Sequence, residues 1–171
     1  MPVTLVTPSD VAEIEPLCRR AFDQMGYSQP PRCYEYSSEH ITQVITQGCQ
    51  HPDHICTKYT DPDTGAVLGF MAVGISTTSW YAVNERSCYE IVWHGDPLLP
   101  PRQQLRVQMA LLRDMLVRVA GVTIVILTLD ERHIGIAPLI ERLGFTGTTR
   151  TFVRRSPWAT CSVARSVQSS V

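Results

Sequence analysis

Residues 100–116 read PPRQQLRVQMALLRDML, and they lie between two apolar runs, CYEIVWH (88–94) and VTIVILTL (122–129). The paired prolines suit a helix start, where a missing N–H costs little and φ is already set. Leu105, Met109, Leu112, Leu116 and Val119 then recur by fours and threes, so the spacing predicts a helix over about Arg102–Ala120 with one apolar stripe. Arg102, Arg106 and Arg113 fall off that stripe, on a face expected to meet solvent or a partner. Strand, helix and strand follow one another here, and the rest of the chain must be arranged around them. The continuous run at 122–129 suits a strand buried on both faces.

Working outward, VTLV (3–6) reads as a first strand. Thr7 is a good N-cap, Pro8 fits the first helical position, and Asp10 places a carboxylate in the first turn. Val11, Ile14, Leu17, Cys18, Ala21 and Phe22 repeat at helical spacing until Gly26, and Pro16 is expected to kink this helix or shorten its first part. A proline-rich connector leads to a second helix over about Ser37–Gln47, stopped by Gly48. The turn DPDTG (61–65) joins strands at about 54–60 and 66–75 into a hairpin. Downstream, a helix over about Gly135–Leu143 ends at Gly144, and GTTRTFVRR (147–155) alternates like a last strand. The expected order is β-α-α-β-β-β-α-β-α-β in a single domain over 1–155, with a Ser-rich tail, 156–171, leaving the core.

The whole-chain numbers bound the function. With 171 residues, 44% apolar and 18% charged, the chain can bury one substantial core. A net charge of -1 gives no global pull toward nucleic acid or acidic lipid. No stretch approaches the roughly 18–20 apolar residues of a membrane span, and the N-terminus lacks a signal-peptide pattern. The six cysteines include no C-x-x-C pair and are read as reduced thiols of a cytoplasmic chain. Cys49, His51, His54 and Cys56 are metal-ligand types, but a helix end turning into a strand accounts for them, and no metal is expected.

The element order, with LIERLGF (139–145) closing the penultimate helix, resembles the GNAT N-acyltransferase fold. The resemblance implies an α+β architecture, with a mixed, mostly antiparallel central sheet flanked by helices. It also implies an acetyl-CoA pyrophosphate held by amides at the strand–helix junction, on a pattern of Gln or Arg, two residues, Gly, one residue, then Gly or Ala. The six matching positions here are Gln103, Gln104, Leu105, Arg106, Val107 and Gln108. The leading Gln fits; side chains stand at both glycine positions, where a bare backbone would let phosphate approach. Arg106 could offer a charged fork instead. At the position where many members carry a proton-donating tyrosine, this chain has Ile140.

Glu90 occupies the strand where GNAT enzymes often place a general base, and the backbone at Ile91, Val92 and Trp93 would hold a pantetheine arm. His133, after the second apolar run, is a possible proton carrier or helix cap. IVWH, PRQQLRVQMALLRDML and RHIGIAPLIERLGF are also similar to GNAT-like proteins of tailed-phage virions. Two expectations follow. The first is a GNAT-fold protein with a degenerate acyl-CoA site and no favoured cofactor. It would serve assembly through the Arg-bearing face or the tail, in host cytoplasm or a phage particle. The alternative is an acetyl-CoA-dependent N-acetyltransferase acting on a primary amine, with Glu90 as base.

Overall fold

The computed structural model describes residues 2–30, 32–76, 86–129 and 136–146. Its elements are β1 (Val3–Leu5), a 3-10 turn (Pro8–Asp10), α1 (Val11–Gln24), α2 (Ser38–Gln50), β2 (His54–Thr60), β3 (Val67–Ser76), β4 (Ser87–Gly95), α3 (Pro101–Arg118), β5 (Ile124–Ile126) and α4 (Ala137–Glu141). The strands form one sheet in the order β1-β2-β3-β4-β5, antiparallel from β1 to β4 and parallel between β4 and β5. The mixed, mostly antiparallel α+β architecture anticipated from the sequence is therefore present. The expected strand at 147–155, the tail from residue 156 and His133 lie outside the described residues.

Two cores cover the two faces of the sheet. Val6, Val11, Ile14, Leu17 and Ile45 bring α1 and α2 against Cys56, Phe70 and Ala72. Val107, Leu111, Leu112 and Met115 of α3, with Ile140 of α4, cover Met71, Val73, Cys88 and Trp93 on the other face. The apposition of α3 is close at Gly69, where a Cβ would overlap Val107 Cγ1 and stand 3.1 Å from the His94 carbonyl oxygen. Only glycine lets helix and strand meet there. At the start of α1 the Thr7 N–H donates to Asp10 Oδ2 at 2.8 Å, and Lys58 Nζ donates to Asp10 Oδ1 at 2.6 Å, which pins the helix entry to β2.

Pro16 lies inside α1, where the fully buried Ile14 and Leu17 outweigh one lost helical hydrogen bond. Local rules misplace three details. Gly48 does not stop α2, which begins with the Ser37 hydroxyl accepting the His40 N–H and runs on to Gln50. The run 122–129 forms only a three-residue strand, with Ile124 and Ile126 exposed, so it is not buried on both faces among the described residues. Cys18, Cys49, Cys56 and Cys88 are free thiols, whereas Cys33 is disulfide-bonded, which no spacing in the chain signals.

Candidate functional site

Strand β4 carries an extra residue. Ala72 pairs with Val92 but Val73 pairs with Glu90, which leaves Ile91 as a β-bulge. In regular alternation Glu90 and Val92, two residues apart, would share a face; with Ile91 bulged out of the ladder they point to opposite sides of the sheet. Glu90 joins Val73 and Met71 on the α3 side, while Val92 joins Ala72 on the α1–α2 side.

The bulge lies just past the place where β4 and β5 stop pairing, at Tyr89 and Ile126. Beyond it no ladder pairing joins β4 to the chain after β5 among the described residues, and the Glu90 carboxylate accepts the Thr128 N–H at 3.0 Å. Burial pushes the Glu90 carboxyl up to about 7, with that hydrogen bond pulling the other way. A carboxyl that changes charge near neutral pH can accept a proton from an amine, so its chemistry suits a general base. On the side away from β3, Ile91, Val92 and Trp93 have no paired strand among the described residues. Trp93 is buried, and its indole N–H donates to the Gln108 carbonyl at 2.9 Å, which locks β4 to α3.

The junction from β4 to α3 is built differently from an anion cradle. A helix start ordinarily leaves four N–H groups free. Here Pro100 and Pro101 have none, and the Gln103 and Gln104 N–H groups bond to the Pro100 carbonyl at 2.8 and 3.0 Å. Of residues 100–104, that leaves the Arg102 N–H. The Gln104 amide donates to the Gly95 carbonyl at 3.3 Å, and the chains of Gln104 and Gln108 close on Gly95, where a Cβ would stand 3.0 and 3.5 Å from their Cγ atoms. Gln108, expected at a phosphate site, is buried in this contact. Leu105 is half-buried and Val107 lies fully in the core.

Arg106 does not serve this junction. With Gln103 it lines a cavity of about 180 Å³ against the β2–β3 turn, opposite Asp61 and Asp63. Two carboxylates there make poor surroundings for a phosphate. Arg102, Arg106 and Arg113 are all exposed, as the helical spacing requires.

Two contributions escaped sequence reasoning. Arg20 of α1 grips Asp96, just beyond β4, through bonds of 3.0 and 2.6 Å, and the same carboxylate accepts the Leu98 N–H at 3.0 Å. The Asp96-Pro97 pair is a turn signal that could have suggested the second contact, while nothing marks Arg20. Thr128, the partner of Glu90, contributes only its backbone and leaves no trace in the sequence.

Comparison with known proteins agrees with this architecture. No protein-family model matches the chain, and no curated protein matches it by sequence. Among solved structures it is similar to a probable acetyltransferase, with a TM-score of 0.67 and 11% identity over 94% of this chain and 99% of that one. A GNAT family acetyltransferase of Staphylococcus aureus gives a TM-score of 0.61 and 12% identity, covering 90% of this chain and 97% of that one. Glucosamine-6-phosphate N-acetyltransferase from Arabidopsis thaliana gives 0.58 and 14%, covering 90% and 96%. The chain has the GNAT fold. At such identities the likeness establishes the fold alone, and function has to be argued from the site.

The proline-led start of α3 offers little to the pyrophosphate of an acyl-CoA, while β4 beyond Tyr89 is unpaired with β5. No helix of the described residues is long and apolar enough to cross a membrane.

Proposed function

We propose that this chain is a GNAT-fold protein whose acyl-CoA site is degenerate, and that it works through binding and assembly rather than acyl transfer. The observation that carries this reading is the start of α3, where prolines and an internal carbonyl bond remove most of the amides a pyrophosphate needs. Exposed Arg102, Arg106 and Arg113 give the helix a cationic outer face for an acidic protein partner. The likeness of IVWH and RHIGIAPLIERLGF to tailed-phage GNAT-like proteins supports a phage particle as the assembly.

The test is a thermal melt with acetyl-CoA. A ligand at about 100 times its Kd stabilises a fold by about 2.7 kcal/mol, a shift of several degrees. No shift is expected at millimolar acetyl-CoA. Co-purification with a large particle is expected, and reversal of Arg102, Arg106 and Arg113 to Glu should release it. A chain that stays monomeric and never associates overturns the assembly role.

One observation favours a second reading, an N-acetyltransferase acting on a primary amine. Glu90, raised to about 7, stands just past the last β4–β5 pair, where a base would be useful. Saturable stabilisation by acetyl-CoA, with amine turnover lost in Glu90→Gln, would establish that reading in place of the first.

A further inference from the structure

The face of the sheet opposite Glu90 holds a larger cleft, of about 310 Å³, open to solvent on one side and lined by residues from α1 through α2 and from β2, β3 and β4. Its wall is apolar, with Phe22, Tyr27 and Tyr36 on the helical side and Phe70 and Ala72 on the sheet. Phe22 meets Tyr27 and Tyr36 edge to face, with ring centroids 5.5 and 5.2 Å apart. Such a cluster accepts a further ring more readily than an aliphatic chain. A void of roughly 150 Å³ takes a benzene, and ligand pockets begin at roughly 300 Å³, so this one matches a fused two-ring molecule.

One polar atom in the wall is unsatisfied. His54 sits on β2 opposite Gly74, on the same face as Cys56 and Ala72, and its Nδ1 is buried with no hydrogen-bond partner. A buried polar atom without a partner is costly, and it marks the place where a ligand group gains most. No Asp, Glu, Lys or Arg lines the cavity, and burial holds the Cys18 and Cys56 thiols protonated, so its polar contacts fall to the histidines His54 and His94 and favour a ligand without charge.

We propose that this cavity binds a small uncharged hydroxylated aromatic molecule, its rings against Phe22, Tyr36 and Phe70 and its hydroxyl bonded to His54 Nδ1. A hydroxyl satisfies either tautomer of the imidazole, because it both donates and accepts. The bulge at Ile91 places Glu90 on the other face, so the bound molecule is a ligand and not a reactant of that carboxylate. The site stands apart from the question of acyl transfer.

Calorimetry and protein NMR on the full chain, with 2-naphthol and naphthalene as probes, test this. The wild type should bind 2-naphthol saturably at one site and naphthalene about tenfold more weakly. His54→Phe keeps a ring in place and should erase that preference. Val44 lines the mouth at 42% exposure, so Val44→Phe fills the cavity without disturbing the core and should abolish both. Gly48→Ala is the second filler, since its methyl would stand 3.5 Å from Cys56 Sγ in ordinary contact. The proposal fails if 2-naphthol does not saturate the wild type, if His54→Phe keeps the preference, or if neither filler weakens binding.

Discussion

The Glu90 carboxylate accepts the Thr128 N–H at 3.0 Å, just past the last β4–β5 pair. Its carboxyl is pushed up to about 7 from the ordinary 4.5, chiefly by burial. The unfolded chain therefore ionises Glu90 first, and between about pH 4.5 and 7 ionisation favours the unfolded state. Stability should fall as pH rises through that window and level off above it. The full difference is on the order of 3 kcal/mol, from about 1.4 kcal/mol for each pKa unit. Urea midpoints at pH 5 and pH 8 check this, and Glu90→Gln should remove most of the loss while still accepting the Thr128 N–H.

Arg20 and Asp96 form a two-bond pair in which the Asp96 side chain is 11% exposed and that of Arg20 34%. Removing the cation leaves that charge buried beside α1. Arg20→Met should cost about 3 kcal/mol, and Arg20→Met with Asp96→Asn should recover part of it. Amide exchange at Leu98, held by the same carboxylate, should quicken in both.

Gly69 and Gly121 make a matched pair of tests. A methyl at Gly69 collides with Val107 and must push α3 off the sheet, so Gly69→Ala should cost about 2–3 kcal/mol. A methyl at Gly121 meets nothing within 4 Å, so Gly121→Ala should be neutral or slightly stabilising. Denaturant titration of the two variants separates close packing from a general effect of the substitution.

Burial pushes Cys56 and Cys88 up to about 11 and Cys18 up to about 12. At pH 8 a thiol at about 11 is thiolate to roughly one part in a thousand. Brief iodoacetamide treatment of the native chain should leave all three unmodified by mass spectrometry, and denaturant should expose them together. Rapid native labelling of Cys18 would mean that the α1 core is open.

The order of elements was legible because each signal was local: a cap at Thr7, a turn at Asp61-Pro62-Asp63, proline at the head of α3. The second apolar run misleads because an uninterrupted hydrophobic stretch says nothing about which neighbours will cover it. Ile124 and Ile126 stay exposed beside a single described partner strand. The spacing in α3 also marks too narrow a stripe. Val107, Gln108 and Leu111 turn inward as well, since a helix squeezed against Gly69 and Gly95 buries a wide arc.

The site was legible only in its residue types. Glu90 was nameable from its strand, yet its partner is a main-chain amide that any residue could supply. Arg106 stood in a recognisable motif, but its direction depended on a turn more than 40 positions earlier, at Asp61 and Asp63. Long-range placement of this kind belongs to the assembled sheet and not to any window of the chain.

Ile91 has a consequence that reaches past this molecule. Deleting that single codon would leave Glu90 beside Val92 and on the face it already holds, since neighbours in a plain strand alternate. Drawing Ile91 into the ladder would instead set Glu90 opposite Gly74 and turn it from Thr128 toward the aromatic chamber. The looped-out residue thus keeps the strand's acid and the hollow behind it in two workshops and not one.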